Sequence, residues 1–345
     1  MESTPRRDVR RVQFPKAVLC PFDLGRAITV HTITTGLTNR CWKVGTSRKG
    51  RLFVKQFMGA GAEPHRIRHQ HQALGVLAER GLPVVAPLAT PDGHTLVKAE
   101  GGHVAVYPWV EGHHVPGWRM SVDQAHGLGG LLARIHHEWA RALTPCAPTI
   151  PAVADRDAAL RAIDTYREVV AQKAEHDVFD RFVGAHLRSR RALLASARPP
   201  RLPTARSQGP AGGWTHGDFH IANVLWDGDR IAAVLDFDAL GVRSYAHEVV
   251  HSVMLLFPSR NGKELAARQA GAFVSGYREL SPLSDRELRE AAASLWWERA
   301  CDLRHLERHY LRHDPSRDHL FATQSLLLSW WSGHPEEVAT VLAGG

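Results

Sequence analysis

The fold of this chain is indicated by one octet, His216-Gly217-Asp218-Phe219-His220-Ile221-Ala222-Asn223, which has the pattern H-x-D-x-x-x-x-N. Eighteen residues after Asp218 comes Asp236, in the stretch Leu235-Asp236-Phe237-Asp238. The turn residues Asp227-Gly228-Asp229 lie between two short apolar runs and predict a hairpin. We therefore expect Asn223 and Asp236 to converge as oxygen ligands for Mg²⁺, with Asp218 placed to accept the proton of a hydroxyl.

The region before this octet changes character along its length. Alternating apolar and polar residues from about 27 to 56 predict antiparallel strands. Helical spacing predicts a helix from about Pro64 to Arg80. Two further strands are predicted near residues 95–97 and 104–107, and the pattern is mainly helical after about residue 120.

This order of elements predicts an α+β fold of two lobes. We expect a small antiparallel-sheet lobe over residues 1–105, a hinge over residues 106–112 and a larger helical lobe over residues 113–345. Residues 1–25, which begin with an Arg-rich stretch, are predicted to form a flexible arm.

Composition excludes several classes of protein. The net charge of +8 comes from residues 1–70, which hold 14 of the 43 Lys and Arg but only 4 of the 35 Asp and Glu. A local basic region suits a phosphate ligand, and the chain lacks nucleic-acid motifs, so no nucleic-acid partner is expected. No run is long enough for a membrane helix, and four scattered cysteines favour reduced thiols in a cytoplasmic protein.

The chain resembles the aminoglycoside phosphotransferase, choline kinase and homoserine kinase superfamily, which has a protein-kinase-like fold. The resemblance covers about residues 28–310 and rests first on the octet with Asp236. Three stretches support it: Gly36-Leu37-Thr38-Asn39, Leu52-Phe53-Val54-Lys55 and Val106-Tyr107-Pro108-Trp109-Val110-Glu111-Gly112.

The resemblance implies an ATP-dependent phosphotransferase with ATP and Mg²⁺ in the cleft between the lobes. Asp218 would be the catalytic base, while Asn223 and Asp236 would hold Mg²⁺. The remaining ATP-binding residues implied by the family are the nucleotide-loop residues Gly36 and Asn39, the strand residue Lys55 and the hinge residues Val106, Tyr107 and Trp109. His216 and Glu248 would brace the catalytic loop.

One departure from the family concerns the partner of Lys55. The family's helix glutamate, which pairs with the strand lysine, falls near Gln70 in this chain, and Glu63 is a substitute. A neutral partner favours an alternative hypothesis, a pseudokinase that binds a ligand without turnover. The presence of Lys55, Asp218 and Asp236 argues against it.

The acceptor is expected to be a small molecule with a free hydroxyl. An antibiotic of the aminoglycoside, nucleoside or peptide type is the first expectation, because such resistance enzymes dominate the matched family. Homoserine, a choline-like alcohol or a sugar is the alternative. Asp238, Trp297 and Asp302 are candidate substrate residues, and the protein is expected to be a monomer or a homodimer.

A competing motif is His247-Glu248-Val249-Val250-His251, a literal H-E-x-x-H. On a helix its two histidines would lie on one face and bind zinc, with Glu248 activating water, as in a zinc metallohydrolase. Its coincidence with the expected position of the bracing acid favours the kinase interpretation.

Overall fold

The computed structural model describes residues 14–33, 39–58, 62–144, 153–200 and 212–344. Gly36, expected to bind ATP, lies outside the described residues. The chain divides into two compact units: Met1–Gly112 with Ala232–Asp238, and His113–Ile231 with Ala239–Gly345. The predicted α+β class is confirmed.

The first unit is built on a five-stranded antiparallel sheet. Its strands are β1 (Ala27–Ile33), β2 (Arg40–Thr46), β3 (Gly50–Phe57), β4 (Val97–Ala99) and β5 (Gly102–Pro108). Their order is β1-β2-β3-β5-β4, so β3 pairs with β2 on one side and with β5 on the other. Alternation along β3 therefore sends Val54 to one face of the sheet and Lys55 to the other.

The prediction of a flexible arm over residues 1–25 is wrong for residues 14–24. A 3₁₀ helix, Lys16–Phe22, packs against the face of the sheet that carries Trp42, Val54 and Val106. The buried apolar residues of this segment are Phe14, Val18, Leu19, Phe22 and Leu24. Without them that face of the sheet would be exposed, and burying apolar area is the main favourable term in folding.

The opposite face of the sheet is covered by α1 (Pro64–Glu79), with Ile67 packed near Phe57 and Ala105. The structure differs from the expected boundary of the helical lobe, because Ala232–Asp238 belongs to the first unit. The Val234 amide donates to the Pro83 carbonyl at 2.7 Å, which ties this segment to the chain after α1.

The second unit is mainly helical. Its longer helices are α2 (Val122–Ala142), α3 (Arg156–Ala171), α4 (Val178–Ser196), α5 (Tyr245–Leu256), α6 (Ala267–Leu280) and α7 (Asp285–Cys301). They are followed by the short α8 (Arg304–Leu306), α9 (Asp318–Gly333) and α10 (Pro335–Leu342). Ser121 caps α2 through a capping box with Gln124, as its position in the sequence indicates. Within the described residues, none of the helices has the length and apolar character needed to span a bilayer.

Four short strands frame the octet. β6 (Gly212–Thr215) precedes it and pairs with β9 (Gly241–Ser244), which leads directly into α5. β7 (Val224–Asp227) and β8 (Arg230–Val234) follow it as the predicted hairpin. Gly228 in the turn has φ of 59°, a left-handed conformation that glycine adopts readily. The octet is therefore a loop held between two small sheets.

Candidate active site

Lys55 is the centre of a buried ionic cluster in the first unit. Its side chain is nearly buried, and the ammonium nitrogen lies 2.9 Å from Asp236 Oδ1 and 2.7 Å from Asp238 Oδ1. These two carboxylates supply the charge that Gln70 lacks. The partner of Lys55 therefore comes from the segment after β8.

Asp238 is fixed by neutral groups as well as by Lys55. The Asn39 amide donates to Asp238 Oδ2 at 2.7 Å, and Asn39 Oδ1 accepts from the Met58 amide at 3.1 Å. Gln70 Nε2 donates to the backbone carbonyl of Asp238 at 3.0 Å. Gln70 thus holds the backbone of the residue that pairs with Lys55.

Asp236 has an unusual backbone conformation, with φ of 57°. Non-glycine residues rarely adopt this left-handed region, and such outliers concentrate at functional sites. The conformation allows Asp236 and Asp238, two residues apart, to direct their carboxylates to the same ammonium group.

The charges of the cluster shift each other's pKa. Burial by itself would lower the pKa of Lys55, but the carboxylates of Asp236 and Asp238 outweigh it and raise that pKa. Burial raises the pKa of Asp238, and the neighbouring charge of Asp236 adds to the rise against the opposing effect of Lys55. The Lys55 ammonium is therefore a permanent positive charge, as a phosphate-binding lysine requires.

The backbone at the end of β5 presents alternating hydrogen-bonding groups. The Trp109 amide donates to the Arg51 carbonyl at 3.1 Å, so residues 109 and 107 direct their backbone groups towards β3. The Val106 carbonyl, on the other edge, accepts from the Leu88 amide at 2.7 Å. By this alternation the Pro108 carbonyl, at the last position of β5, faces away from β3.

Side chains in the same region take other roles. Tyr107 is hydrogen-bonded through its hydroxyl to His71 Nε2 at 3.1 Å. Trp109 donates its indole N–H to Glu111 at 2.8 Å, and the Lys43 ammonium lies 4.0 Å from the centre of the Trp109 ring. The Val106 side chain is buried in the sheet core. These contacts engage the side chains of Val106, Tyr107 and Trp109 within the first unit.

The catalytic loop of the second unit brings Asp218 and Asn223 together. Asn223 Nδ2 donates to the Asp218 carbonyl at 2.8 Å, and the Asp218 amide donates to His216 Nδ1 at 3.2 Å. His220 Nε2 lies 3.4 Å from Asp218 Oδ2 and 3.1 Å from Asn223 Nδ2. The spacing of the octet therefore produces a loop closed by its own side chains.

The environment of Asp218 favours its ionised form. Burial would raise its pKa, but the hydrogen bond from His220 and the nearby His216 and His251 outweigh this and lower the pKa. A carboxylate that is ionised at neutral pH is able to accept a proton.

The resemblance implies a bound Mg²⁺, which takes oxygen ligands. The Asn223 amide nitrogen donates to the Asp218 carbonyl, so the side-chain oxygen of Asn223 is the atom that could bind a cation. Asp236 offers a carboxylate on a strained backbone. Among the described residues no group of three His, Cys, Asp or Glu side chains could hold a metal. Asn223 and Asp236 each supply an oxygen of the kind that Mg²⁺ prefers, and Mg²⁺ usually keeps water or phosphate oxygens as its other ligands.

Glu248 of α5 braces the start of the catalytic loop. Its carboxylate is buried and accepts from the amides of His216, at 3.1 Å, and Gly217. His136 Nε2 contacts the same carboxylate at 2.6 Å, and His136 Nδ1 contacts the Tyr277 hydroxyl at 2.8 Å. The brace is thus supported from α2 and α6.

The contacts of Glu248 contradict the zinc hydrolase hypothesis. A zincin needs a free glutamate to activate water, whereas both Glu248 oxygens are engaged by backbone amides and by His136. His251 Nε2 lies 2.7 Å from a guanidinium nitrogen of Arg299, a cation that would repel zinc. The resemblance of residues 247–251 to a metal motif is coincidental.

Gly217 is required by the close packing of this loop. It has φ of 81°, and a Cβ at this position would overlap the Ala239 carbonyl oxygen and the Arg243 guanidinium. Arg243 in turn donates to Thr215 Oγ1 at 3.0 Å and to the Ala239 carbonyl at 2.9 Å. Glycine is the residue that satisfies both conditions.

A polar cleft of about 330 Å³ lies beside the catalytic loop, within the second unit. One side is α5, with His247 and His251, and the other is the face of α7 that carries Leu295, Glu298 and Arg299. Gly217, the neighbour of Asp218, lines it as well. The cleft is the candidate site for the acceptor.

The three candidate substrate residues have different positions. Asp302 lines the cleft, and its contact with the acceptor stays a prediction. Asp238 belongs to the Lys55 cluster of the first unit. The expectation for Trp297 is wrong, because its side chain is buried in the helical core and its indole N–H donates to the Ala154 carbonyl at 2.9 Å.

Several residues of the site were missed by the sequence analysis. The sequence did not single out His136, Arg243 or Arg299. His136 lies 112 residues from Glu248 in the chain, so no local pattern links the two. For Arg299 a signal existed: residues 295, 298, 299 and 302 share one helical face, which mixes charges with an apolar residue.

The chain is similar to known proteins in both sequence and structure. The phosphotransferase enzyme family (APH) matches residues 29–283. The chain is similar to a homoserine kinase of Methylobacillus glycogenes, with 25% identity over 324 residues, covering 90% of this chain and 93% of the relative. The sequence likeness therefore extends over both units.

Solved structures share the fold. An aminoglycoside phosphotransferase from Alicyclobacillus acidocaldarius superimposes with a TM-score of 0.63 at 18% identity, covering 98% of this chain and 97% of that one. The amicoumacin kinase hAmiN, in complex with AMP-PNP, Ca²⁺ and Ami, gives a TM-score of 0.60 at 16% identity, covering 91% of this chain and 93% of that one. At these identities the likeness establishes the fold.

Proposed function

Since this chain belongs to the phosphotransferase enzyme family and is a small-molecule kinase, we propose that it transfers the γ-phosphoryl group of ATP to a hydroxyl of its acceptor, with Asp218 as the base. The observation that carries the proposal is the catalytic loop. Asn223 and His216 hold the backbone of Asp218 from both sides, and the lowered pKa keeps its carboxylate ionised.

The proposed reaction converts ATP and R–OH into ADP, R–O–phosphate and a proton. The acceptor oxygen forms a bond to the γ-phosphorus, and the bond from that phosphorus to the β–γ bridging oxygen breaks. The hydroxyl proton passes to Asp218 and then to solvent. Because phosphoryl transfer needs little covalent help, the residues act by positioning and by charge.

The nucleotide is assigned to groups of the first unit. Lys55 would bind phosphate oxygens, with Asp236 and Asp238 orienting it. The purine edge would bind the Pro108 carbonyl, which faces away from β3, and the Val110 amide just beyond the strand. This replaces the broader expectation for Val106, Tyr107 and Trp109, whose backbone groups are engaged within the sheet or with Leu88.

Mg²⁺ would be held by Asn223 and Asp236, together with phosphate oxygens. When bound, the ion neutralises charge on the transferring phosphoryl group. Asn223 and Asp236 flank the β7–β8 hairpin in sequence. One stretch of chain, residues 216–238, would thus supply the base Asp218, both metal ligands, and Asp238 as the partner of Lys55.

The acceptor is the finer part of the proposal. The sequence favoured an antibiotic as the first candidate, and two kinase structures with the same fold act on antibiotics by their names. A homoserine-like hydroxy compound is the second candidate. It is supported by the name of a relative that matches over most of its length and by the arginines of the α5–α7 cleft.

The test is ADP release from Mg²⁺-ATP with a panel of acceptors. The panel contains kanamycin, hygromycin B, a nucleoside antibiotic, L-homoserine, choline and glucose. Acceptor-dependent release that is abolished in D218N, with ATP affinity within about twofold of wild type, supports the proposal. The matched control is D92N, at an exposed loop acid of the first unit.

Two results would contradict the proposal. Full turnover by D218N would remove Asp218 as the base. Tight ATP binding without release with any acceptor would favour the pseudokinase alternative.

A further inference from the structure

The α5–α7 cleft contains two guanidinium groups that lack a carboxylate partner among the described residues. Arg299 contacts His251 Nε2 at 2.7 Å, and Arg243 donates to a hydroxyl and a backbone carbonyl. Neither forms an ion pair within 4.0 Å with a described acid, whereas Arg304, the third arginine that lines the cleft, does. Arg304 binds Asp302 through two nitrogens, at 2.7 and 2.9 Å.

The acids of the cleft do not neutralise these two cations. Asp302 is taken by Arg304, and Glu248 is committed to the backbone of the catalytic loop and to His136. Glu298 has its contact with His247, at 3.9 Å. Among the described residues of the cleft, Arg243 and Arg299 therefore have no carboxylate in ion-pair contact, and Glu298 is the carboxylate that remains for a ligand.

His251 positions Arg299 without cancelling its charge. Burial, together with the charges of Arg299 and His247, lowers the pKa of His251 to about 3, so this histidine is neutral at physiological pH. The neutral Nε2 of His251 accepts one hydrogen bond from the Arg299 guanidinium, and the other N–H donors of Arg299 are not used by His251. Burial also lowers the pKa of Arg299 against the opposing charges of Asp302, Glu298 and Asp218, which is the behaviour of a cation with too little compensation.

We propose that the acceptor carries a carboxylate, and that Arg299, supported by Arg243, binds it in the cleft beside Asp218. Arginine suits this task because its planar fork matches a carboxylate in two parallel hydrogen bonds. Glu298, on the same helical face, would then receive an ammonium group of the acceptor. A small hydroxy acid fits such a site, whereas a polycation would meet two unpaired guanidinium groups.

This inference rests on the proposed phosphotransferase function and deepens it. It assigns the acceptor to a chemical class, small hydroxy acids, and gives specificity to residues distinct from Asp218, Asn223 and Lys55. An arginine near a phosphoryl transfer can bind either the acceptor or the ATP phosphates. If Arg299 binds the acceptor carboxylate, its replacement changes KM for the acceptor and not for ATP.

The experiment compares acceptors that differ in one group. ADP release is measured with L-homoserine and L-homoserine amide, and with 4-hydroxybutyrate and 4-hydroxybutyramide, alongside kanamycin and choline. For the wild type we expect each acid to exceed its amide at least about tenfold in kcat/KM, which corresponds to about 1.4 kcal/mol.

Three variants locate the effect. R299Q keeps a donor for His251 but loses the charge, so the acid-to-amide ratio should fall to about one through a rise in KM for the acid. R299K keeps the charge and should retain part of the preference. R289Q, at an exposed position of the same helix, should keep the wild-type ratio.

The outcomes separate the two proposals. Release with kanamycin or choline but with neither acid would keep the phosphotransferase function and overturn the carboxylate site. A rise in KM for ATP, with an unchanged acid-to-amide ratio in R299Q, would overturn it too, because Arg299 would then serve the phosphates. No release with any compound would remove the proposed function and this inference with it.

Discussion

The ammonium nitrogen of Lys55 lies 2.7 Å from Asp238, two residues beyond Asp236, and not beside an acid of α1. In this chain the strand lysine is therefore oriented from the segment that follows the hairpin. Gln70 contributes indirectly, since it holds the Asp238 carbonyl.

Removing the charge of Asp238 should weaken ATP binding. D238N leaves Lys55 with Asp236 as its acidic partner and disturbs the hydrogen bond from Asn39. We expect ATP affinity to fall about tenfold, a loss of about 1.4 kcal/mol. Equilibrium titration with a fluorescent ATP analogue measures it. D92N is the control, and wild-type affinity in D238N would show that Asp236 alone orients the lysine.

An acid at position 70 should damage the protein instead of repairing it. In Q70E the amide donor to the Asp238 carbonyl is lost, and a buried carboxylate faces that oxygen. We expect a loss of about 1–3 kcal/mol in the free energy of unfolding, measured by urea denaturation. Q72E, at an exposed position of the same helix, should be nearly neutral. Higher activity in Q70E would instead indicate that the new acid pairs with Lys55.

Glu248 should make the stability of the catalytic loop depend on pH. Burial would raise its pKa, but the hydrogen bonds from His136 and the Gly217 amide outweigh it and lower the pKa. A lowered pKa stabilises the fold above the unfolded value, about 4.3, and this stabilisation is lost as pH falls through the folded value.

The corresponding variant is E248Q. At pH 7 the free energy of unfolding of E248Q should be about 3–5 kcal/mol lower than that of the wild type. This difference should shrink below about pH 4. Urea denaturation between pH 3 and 8 measures this, with E175Q as the exposed control. A difference that stays constant across this range would mean that Glu248 is not ionised in the folded protein.

The segment before β1 should contribute to stability like any part of the core. Leu19 is 1% exposed on the sheet of the first unit, so L19A should cost about 2–5 kcal/mol in the free energy of unfolding. Leu311 is 60% exposed and provides the matched control, L311A, with an expected change below about 0.5 kcal/mol. Equal free energies of unfolding for the two variants would mean that residues 14–24 do not contribute to the core.

Local patterns in the sequence predicted the parts of the site that are local in space. Asp218 and Asn223 are five positions apart in the chain, close enough for the Asn223 side-chain amide to bind the Asp218 backbone carbonyl within one loop. The partner of Lys55 was not predictable in this way, since Asp238 is 183 residues away in the chain.

The sequence also did not predict which side chains are buried and in which direction they point. Trp296 and Trp297 are adjacent and chemically identical, yet the helix turns the second into the core, where it donates to Ala154. Residues 14–24 were misassigned because the preceding arginines suggested an exposed arm, although Phe14, Val18 and Phe22 recur at helical spacing.

The alternating backbone of β5 has a consequence for inhibitor design. The Pro108 carbonyl and the Val110 amide persist whatever side chains occupy these positions, so a purine-like inhibitor that binds them would present few routes to escape by substitution. An inhibitor that depends on the Tyr107 side chain, whose hydroxyl is hydrogen-bonded to His71, would instead lose that contact when the residue is replaced. A compound that binds only main-chain groups would therefore be the more durable starting point.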